Sequence, residues 1–147
     1  CQDVCPWNRK SPATTNADFQ PRADLTPADA LDILRLSATD FRLRYRGTPL
    51  ERPGYNGLRR NAAIVLCNSG NSAAVPVLIA VLADPSPIVR GAVAWALGQL
   101  GGPAAVTALQ DRRGIEDNPD VIEELDAALR HCSPPEAQGL QSLGVAP

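Results

Sequence analysis

The chain has 147 residues, 44% apolar and 20% charged, with a net charge of −2. That length supports one domain with its own core, and the composition is that of a globular protein, not a disordered or fibrous one. No apolar run approaches the ~20 residues that a membrane-spanning helix takes and no signal-peptide pattern is present, so no membrane partner is expected; a cytoplasmic monomer is the accompanying expectation.

The first ten residues, CQDVCPWNRK, place Cys1 and Cys5 in a C-x₃-C-P arrangement. Four-iron, four-sulfur clusters of the bacterial ferredoxin type are held by a C-x₂-C-x₂-C-x₃-C-P run, so this reads as the tail of such a run. A cluster takes four thiolates, and two alone are not expected to hold one. The chain also contains no Met, not even at position 1. Both features lead to the expectation of a C-terminal piece of a longer protein. Cys67 and Cys132 stand isolated in helical patterns, which favours a reducing compartment over a disulfide framework.

Residues 1–10 are therefore read as the end of an iron–sulfur module and 11–25 as a connector laid over a surface. A helical domain is expected over 26–132, with one or two helices in 26–46, followed by a disordered tail over 133–147. Thr26-Pro27 marks a helix start, with a side-chain oxygen to cap and a proline that gives up an unused donor. The same signature returns at Ser86-Pro87 and Asn118-Pro119. Apolar residues follow at helical spacing: Leu31 and Leu34; Val89, Val93, Ala96 and Leu97; Val121, Leu125, Ala128 and Leu129. No stretch alternates for long enough to be a strand. The fold class is all-α.

Between these starts lies an internal repeat. LRRNAAIVLCNSGNSAAVPVL (58–78) aligns with VRGAVAWALGQLGGPAAVTAL (89–109) at an offset of 31, with eight of 21 positions identical. Gly70 and Gly101 fall where a helix ends in a left-handed residue, which glycine adopts without a Cβ penalty. A weaker third copy starts at Val121, offset 32. Each unit reads as helix, glycine stop, helix, and such units bury their apolar faces only by stacking into a solenoid. LADPSPIVRGAVAWALGQLG resembles the short HEAT-like repeats also found in phycobilin lyases, a scaffold that assigns a fold and no activity.

The low net charge hides a polarity. Residues 41–60 hold six arginines, Arg42, Arg44, Arg46, Arg52, Arg59 and Arg60, against one acid, whereas 111–147 hold eight acids against three arginines. A local basic patch is what an anionic partner meets. Arg90 is read differently, as a structural partner for Asp84. Trp95 and Cys67 are expected in the core, and His131 with Cys132 offers too few donors for a metal.

CPWNRK, followed in order by G-T-P-L and L-R-R-N-A-A-I, resembles the C-terminal part of the epoxyqueuosine reductase family. The resemblance runs from Cys1 to about Cys132. It implies a HEAT-like domain after a ferredoxin-like module with two four-iron, four-sulfur clusters, behind a cobalamin-binding catalytic domain. It further implies reduction of epoxyqueuosine to queuosine in tRNA. Cys1 and Cys5 would be cluster ligands and the six arginines a tRNA platform. No catalytic residue and no complete cofactor site are expected in these 147 residues, so the chain alone should be inactive. A HEAT-like protein-interaction scaffold behind a ferredoxin module is the alternative. A lyase-like repeat handling a tetrapyrrole fits less, because it leaves Cys1 to Lys10 unexplained.

Overall fold

The computed structural model describes residues 4–23, 25 and 28–132. Cys1, Thr26-Pro27 and the tail after Cys132 lie outside the described residues. Within them there are seven α-helices and no strand, and no helix is long and apolar enough to cross a membrane.

The segment expected to hold one or two helices holds two. Helix α1 (Ala30–Arg35) starts under Asp29, whose carboxylate accepts from the Leu31 N–H at 2.7 Å and the Asp32 N–H at 3.4 Å. The chain then turns extended at Leu36 and restarts. Ser37 Oγ accepts from the Asp40 N–H at 3.1 Å and donates to the Asp40 carboxylate at 2.7 Å, a reciprocal cap for α2 (Ala38–Tyr45).

The repeat follows as read. Helices α3 (Gly54–Asn68) and α4 (Val75–Val81) form one unit, and α5 (Pro87–Leu100) and α6 (Pro103–Arg113) form the next. Helix α7 (Pro119–Cys132) is the first helix of a third. Gly70 and Gly101 sit at φ 64° and 67°, so both stops need the left-handed region. Asn118 caps α7 by accepting from the Asp120 and Val121 N–H groups at 3.1 and 3.2 Å.

Helices α3, α5 and α7 pack side by side in one layer; α4 and α6 pack behind α5, and α1 closes the stack against α3. The apolar positions read from the sequence fill the seam. Leu34, Val89, Val93, Ala96, Leu97, Val121, Leu125 and Ala128 are all buried, with Leu66, Leu78 and Leu109 between them. The α5–α7 contact is the tightest. A Cβ on Gly98 would lie 2.7 Å from the Ala128 Cβ and 2.8 Å from its Cα, so the backbones meet there without an intervening side chain. The preceding interface has buried Cys67 at the equivalent place, as expected of a small apolar residue.

In the connector and the run before it, every residue from 6 to 23 is exposed, with two short 3₁₀ turns at Asn8–Lys10 and Ala17–Phe19. Leu25, at the connector's end, packs against the core.

Candidate nucleic-acid interface

The basic segment is positioned by aromatic packing. Phe41 and Tyr45 are four residues apart on α2 and both buried, and Phe41 meets Tyr45 and Tyr55 at ring-centroid distances of 5.6 and 5.9 Å. The Tyr55 hydroxyl donates to the Leu36 carbonyl at 2.8 Å, tying the start of α3 to the end of α1. Such tilted aromatic pairs each add about 0.5–1.5 kcal/mol beyond their buried area. The loop between α2 and α3 is closed locally: Thr48 Oγ1 donates to the Tyr45 carbonyl at 2.7 Å, and Glu51 accepts from the Gly47 N–H at 2.8 Å. Glu51, the one acid of the segment, is thus engaged with backbone.

Four of the six arginines of this segment face solvent. Arg42, Arg46, Arg52 and Arg60 are exposed, and none of them forms an ion pair among the described residues. Arg60 donates to the Asn61 side chain at 3.2 Å. Arg44 is half-buried, its guanidinium 5.6 Å from the Tyr45 ring centroid, so it stiffens the segment more than it extends from it.

Arg59 does not belong to this surface. It is only 7% exposed, and its guanidinium lies 4.9 Å from the Tyr55 ring centroid. Its Nε donates to the Leu34 carbonyl at 3.0 Å, and its Nη1 is paired with the Asp84 carboxylate. With those donors engaged inside the fold it has no free fork for a phosphate. Placing Arg59 in the RNA set is therefore corrected: it joins α1, α3 and the entry to α5.

Arg90 is structural as expected, but its acid is Glu116. It donates through Nε and Nη2 to the two Glu116 oxygens at 2.8 and 2.7 Å, a bidentate pair. Asp84 supplies only its backbone carbonyl, at 2.9 Å from Arg90 Nη1, because its carboxylate faces back to Arg59. Arg112 adds two further bonds to Glu116 Oε2 at 2.9 and 2.7 Å. These donors hold the fully buried Glu116 carboxyl down to about 2, against an ordinary 4.5. Each acid also introduces the next helix: Asp84 accepts from the Ser86 N–H at 2.9 Å and Glu116 from the Asn118 N–H at 3.1 Å.

The remaining candidates separate cleanly. Cys5 is a half-buried free thiol in the N-terminal run. Cys67 is buried, and burial pushes its thiol up. Cys132 Sγ donates to the Gly98 carbonyl at 3.3 Å and its thiol is also raised by burial. No group of three or more metal-binding side chains occurs among the described residues. The donor chemistry fits a cubane only as a share of it, through Cys1 and Cys5 with thiolates from elsewhere. Trp95 packs against the core but is only half-buried, on the outer face of α5.

A family model of HEAT repeats matches residues 53–138, a span that takes in α3 to α7. The chain belongs to the HEAT-repeat family. The chain also aligns to part of longer proteins. The chain is 32% identical over 130 residues to the epoxyqueuosine reductase of Bacillus cereus, covering 88% of this chain and 34% of that protein. It is 42% identical over 104 residues to the epoxyqueuosine reductase of Pseudomonas aeruginosa, covering 69% and 28% respectively. The crystal structure of a selenomethionine-labelled epoxyqueuosine reductase superimposes with a TM-score of 0.83 at 25% identity, covering 90% of this chain and 36% of that one. An epoxyqueuosine reductase solved with an epoxyqueuosine-modified tRNA-Tyr stem loop gives 0.82. The resemblance read from the CPWNRK and LRRNAAI motifs thus stands, and the chain spans about a third of the length of the curated relatives it matches.

Proposed function

We propose that this chain is the C-terminal part of an epoxyqueuosine reductase, a cytoplasmic and monomeric oxidoreductase that reduces epoxyqueuosine to queuosine in tRNA. Its share is an RNA-positioning surface and the last ligands of an iron–sulfur module. The observation that carries the first role is the segment's four exposed arginines without carboxylate partners, in a chain similar to an enzyme solved with a tRNA stem loop. Guanidinium forks match phosphate oxygens, and phosphate contacts fix position without reading sequence. The whole enzyme would carry two four-iron, four-sulfur clusters and cobalamin, with Cys1 and Cys5 among the cluster ligands. Nothing in the helical stack supplies a reacting group, so this chain alone should not turn over.

The test is tRNA binding at two salt concentrations. Binding should weaken steeply with salt, and Arg42→Glu, Arg46→Glu and Arg52→Glu together should flatten the dependence by about one unit of slope for each phosphate no longer neutralised. The weakening should be similar for all tRNAs. Arg59→Ala should leave the slope intact and lower the melting temperature. Unchanged binding by the triple variant would move the RNA surface elsewhere. For the second role, Cys5→Ala in a chain extended through the upstream cysteines should lose iron and sulfide; retention of both would remove Cys5 from the ligand set.

A further inference from the structure

The α3–α5–α7 layer is covered on one side by α4 and α6, while its outer side carries a groove of about 590 Å³. The floor is a stripe on α5 at helical spacing, Ile88, Gly91, Ala92 and Trp95, with Ile64 of α3 alongside. Gly91 and Ala92 hollow the stripe, Ile88 is 59% exposed, and Trp95 closes one end half-buried. The two walls differ in charge. On the α7 side stand Asp120, Glu123 and Glu124, and none of the three is in an ion pair among the described residues. On the α3 side stands Arg60. The Glu124 side chain leans in, its Cγ 3.8 Å from where a Gly91 Cβ would lie.

We propose that this groove docks a basic amphipathic helix of a partner polypeptide. An apolar trough along two turns of one helix suits the apolar stripe of another, read at i, i+3, i+4 and i+7. A large aromatic at the end of such a trough is the usual anchor of binding energy. The rim selects the sign: lysines or arginines on the flank facing α7 meet three uncompensated carboxylates, and an acid on the other flank meets Arg60. A phosphodiester chain laid in the same trough would face those three carboxylates against one arginine, so the groove is a protein site beside the arginine-rich segment. This goes beyond the reductase reading and does not depend on it.

The test uses the 147-residue chain with Trp7→Phe, which leaves Trp95 as the sole tryptophan. The probes are a synthetic helix of about 18 residues, or five turns, with leucines on one stripe and lysines on one flank, its glutamate counterpart, and a tRNA hairpin. The lysine helix should shift Trp95 emission to the blue in a saturable way, and the glutamate helix should not. Glu123→Lys with Glu124→Lys should weaken the lysine helix by about tenfold or more. Asp18→Lys with Asp111→Lys, the same charge change away from the groove, should leave it unaltered. The proposal is overturned if Trp95 does not respond, if both double variants weaken binding equally, or if the hairpin displaces the lysine helix from Trp95.

Discussion

Replacing Glu116 with alanine is expected to lower stability by about 3–5 kcal/mol, the range for removing one partner of a buried ion pair. Glu116 receives four side-chain bonds from Arg90 and Arg112 and one from the Asn118 N–H. Its side chain is fully buried, and that of Arg90 is 9% exposed. Without the carboxylate, Arg90 keeps its charge inside the fold, and α7 loses the group that orients its first turn. A domain of this size has about 5–15 kcal/mol in total, so the effect should be visible as a large drop in the urea midpoint at neutral pH. The same group makes stability depend on acid. Its carboxyl is held at about 2 in the fold and titrates near 4.5 when free. The unfolded chain then takes up the proton first, so the contribution is whole above pH 4.5 and fades as pH falls towards 2. That difference corresponds to about 3 kcal/mol. Glu116→Gln should be less stable at pH 7 and lose less than the native chain between pH 5 and pH 3. Parallel curves for the two would remove Glu116 from the acid response.

Gly98→Ala is expected to destabilise although it raises helix propensity. In an open helix the change would favour folding by about 1 kcal/mol. Here the added Cβ would lie 2.7 Å from the Ala128 Cβ and 2.8 Å from its Cα, and the backbone of α7 cannot swing aside as a flexible side-chain tip would. The two helices must separate, which costs about 1–3 kcal/mol or more by analogy with other overpacked cores and also stretches the hydrogen bond from Cys132 to Gly98. Ala128→Gly should cost little by itself at this seam beyond its propensity, yet it should recover part of the stability in the double variant, since it removes the clashing Cβ. Thermal melts of the four proteins measure the coupling. A melting temperature unchanged by Gly98→Ala would mean that the α5–α7 seam is looser than the structure shows.

Much of the fold was legible because glycine and proline punctuate it. Gly70 and Gly101 mark the stops, Ser86-Pro87 and Asn118-Pro119 mark the starts, and the apolar spacing between them names the buried face. The start of α1 was less legible: its cap is Asp29, which the sequence does not single out, and Thr26-Pro27 lies outside the described residues. The arginines show where reading by density misleads. Arg59 and Arg60 are adjacent, but α3 turns one into the core and the other outward. The repeat alignment already sets Arg59 on Arg90, so a structural role for one extends to the other. The acids of the ladder had a signal too. Asp84-Pro85-Ser86-Pro87 and Glu116-Asp117-Asn118-Pro119 share the order acid, any residue, N-cap position, proline, although Ser86, unlike Asn118, makes no side-chain cap bond. Asp and Glu differ enough to hide it, and the nearness of Asp84 to Arg90 suggests a pairing that does not form, the Asp84 carboxylate being engaged by Arg59. Trp95 was only partly legible: a large apolar residue on an apolar helix reads as core, and it does pack against the core, but its side of α5 opens into the groove and leaves it half-buried.

The ladder bears on how such an array grows. Arg59 reaches forward to Asp84, and Arg90 reaches forward to Glu116. A segment cut from just after one acid through the next therefore carries one buried arginine and one buried acid. Copying that segment in tandem would supply every new cation with an anion and every new helix with its cap. Genetic duplication could lengthen the stack by whole units without stranding a charge, whereas a cut elsewhere would separate donor from acceptor. The last described helix fits this rule from the other side. At the place where α5 has Arg90, α7 has Ile122. At that position α7 therefore buries no cation, and it calls for no acid further along the chain.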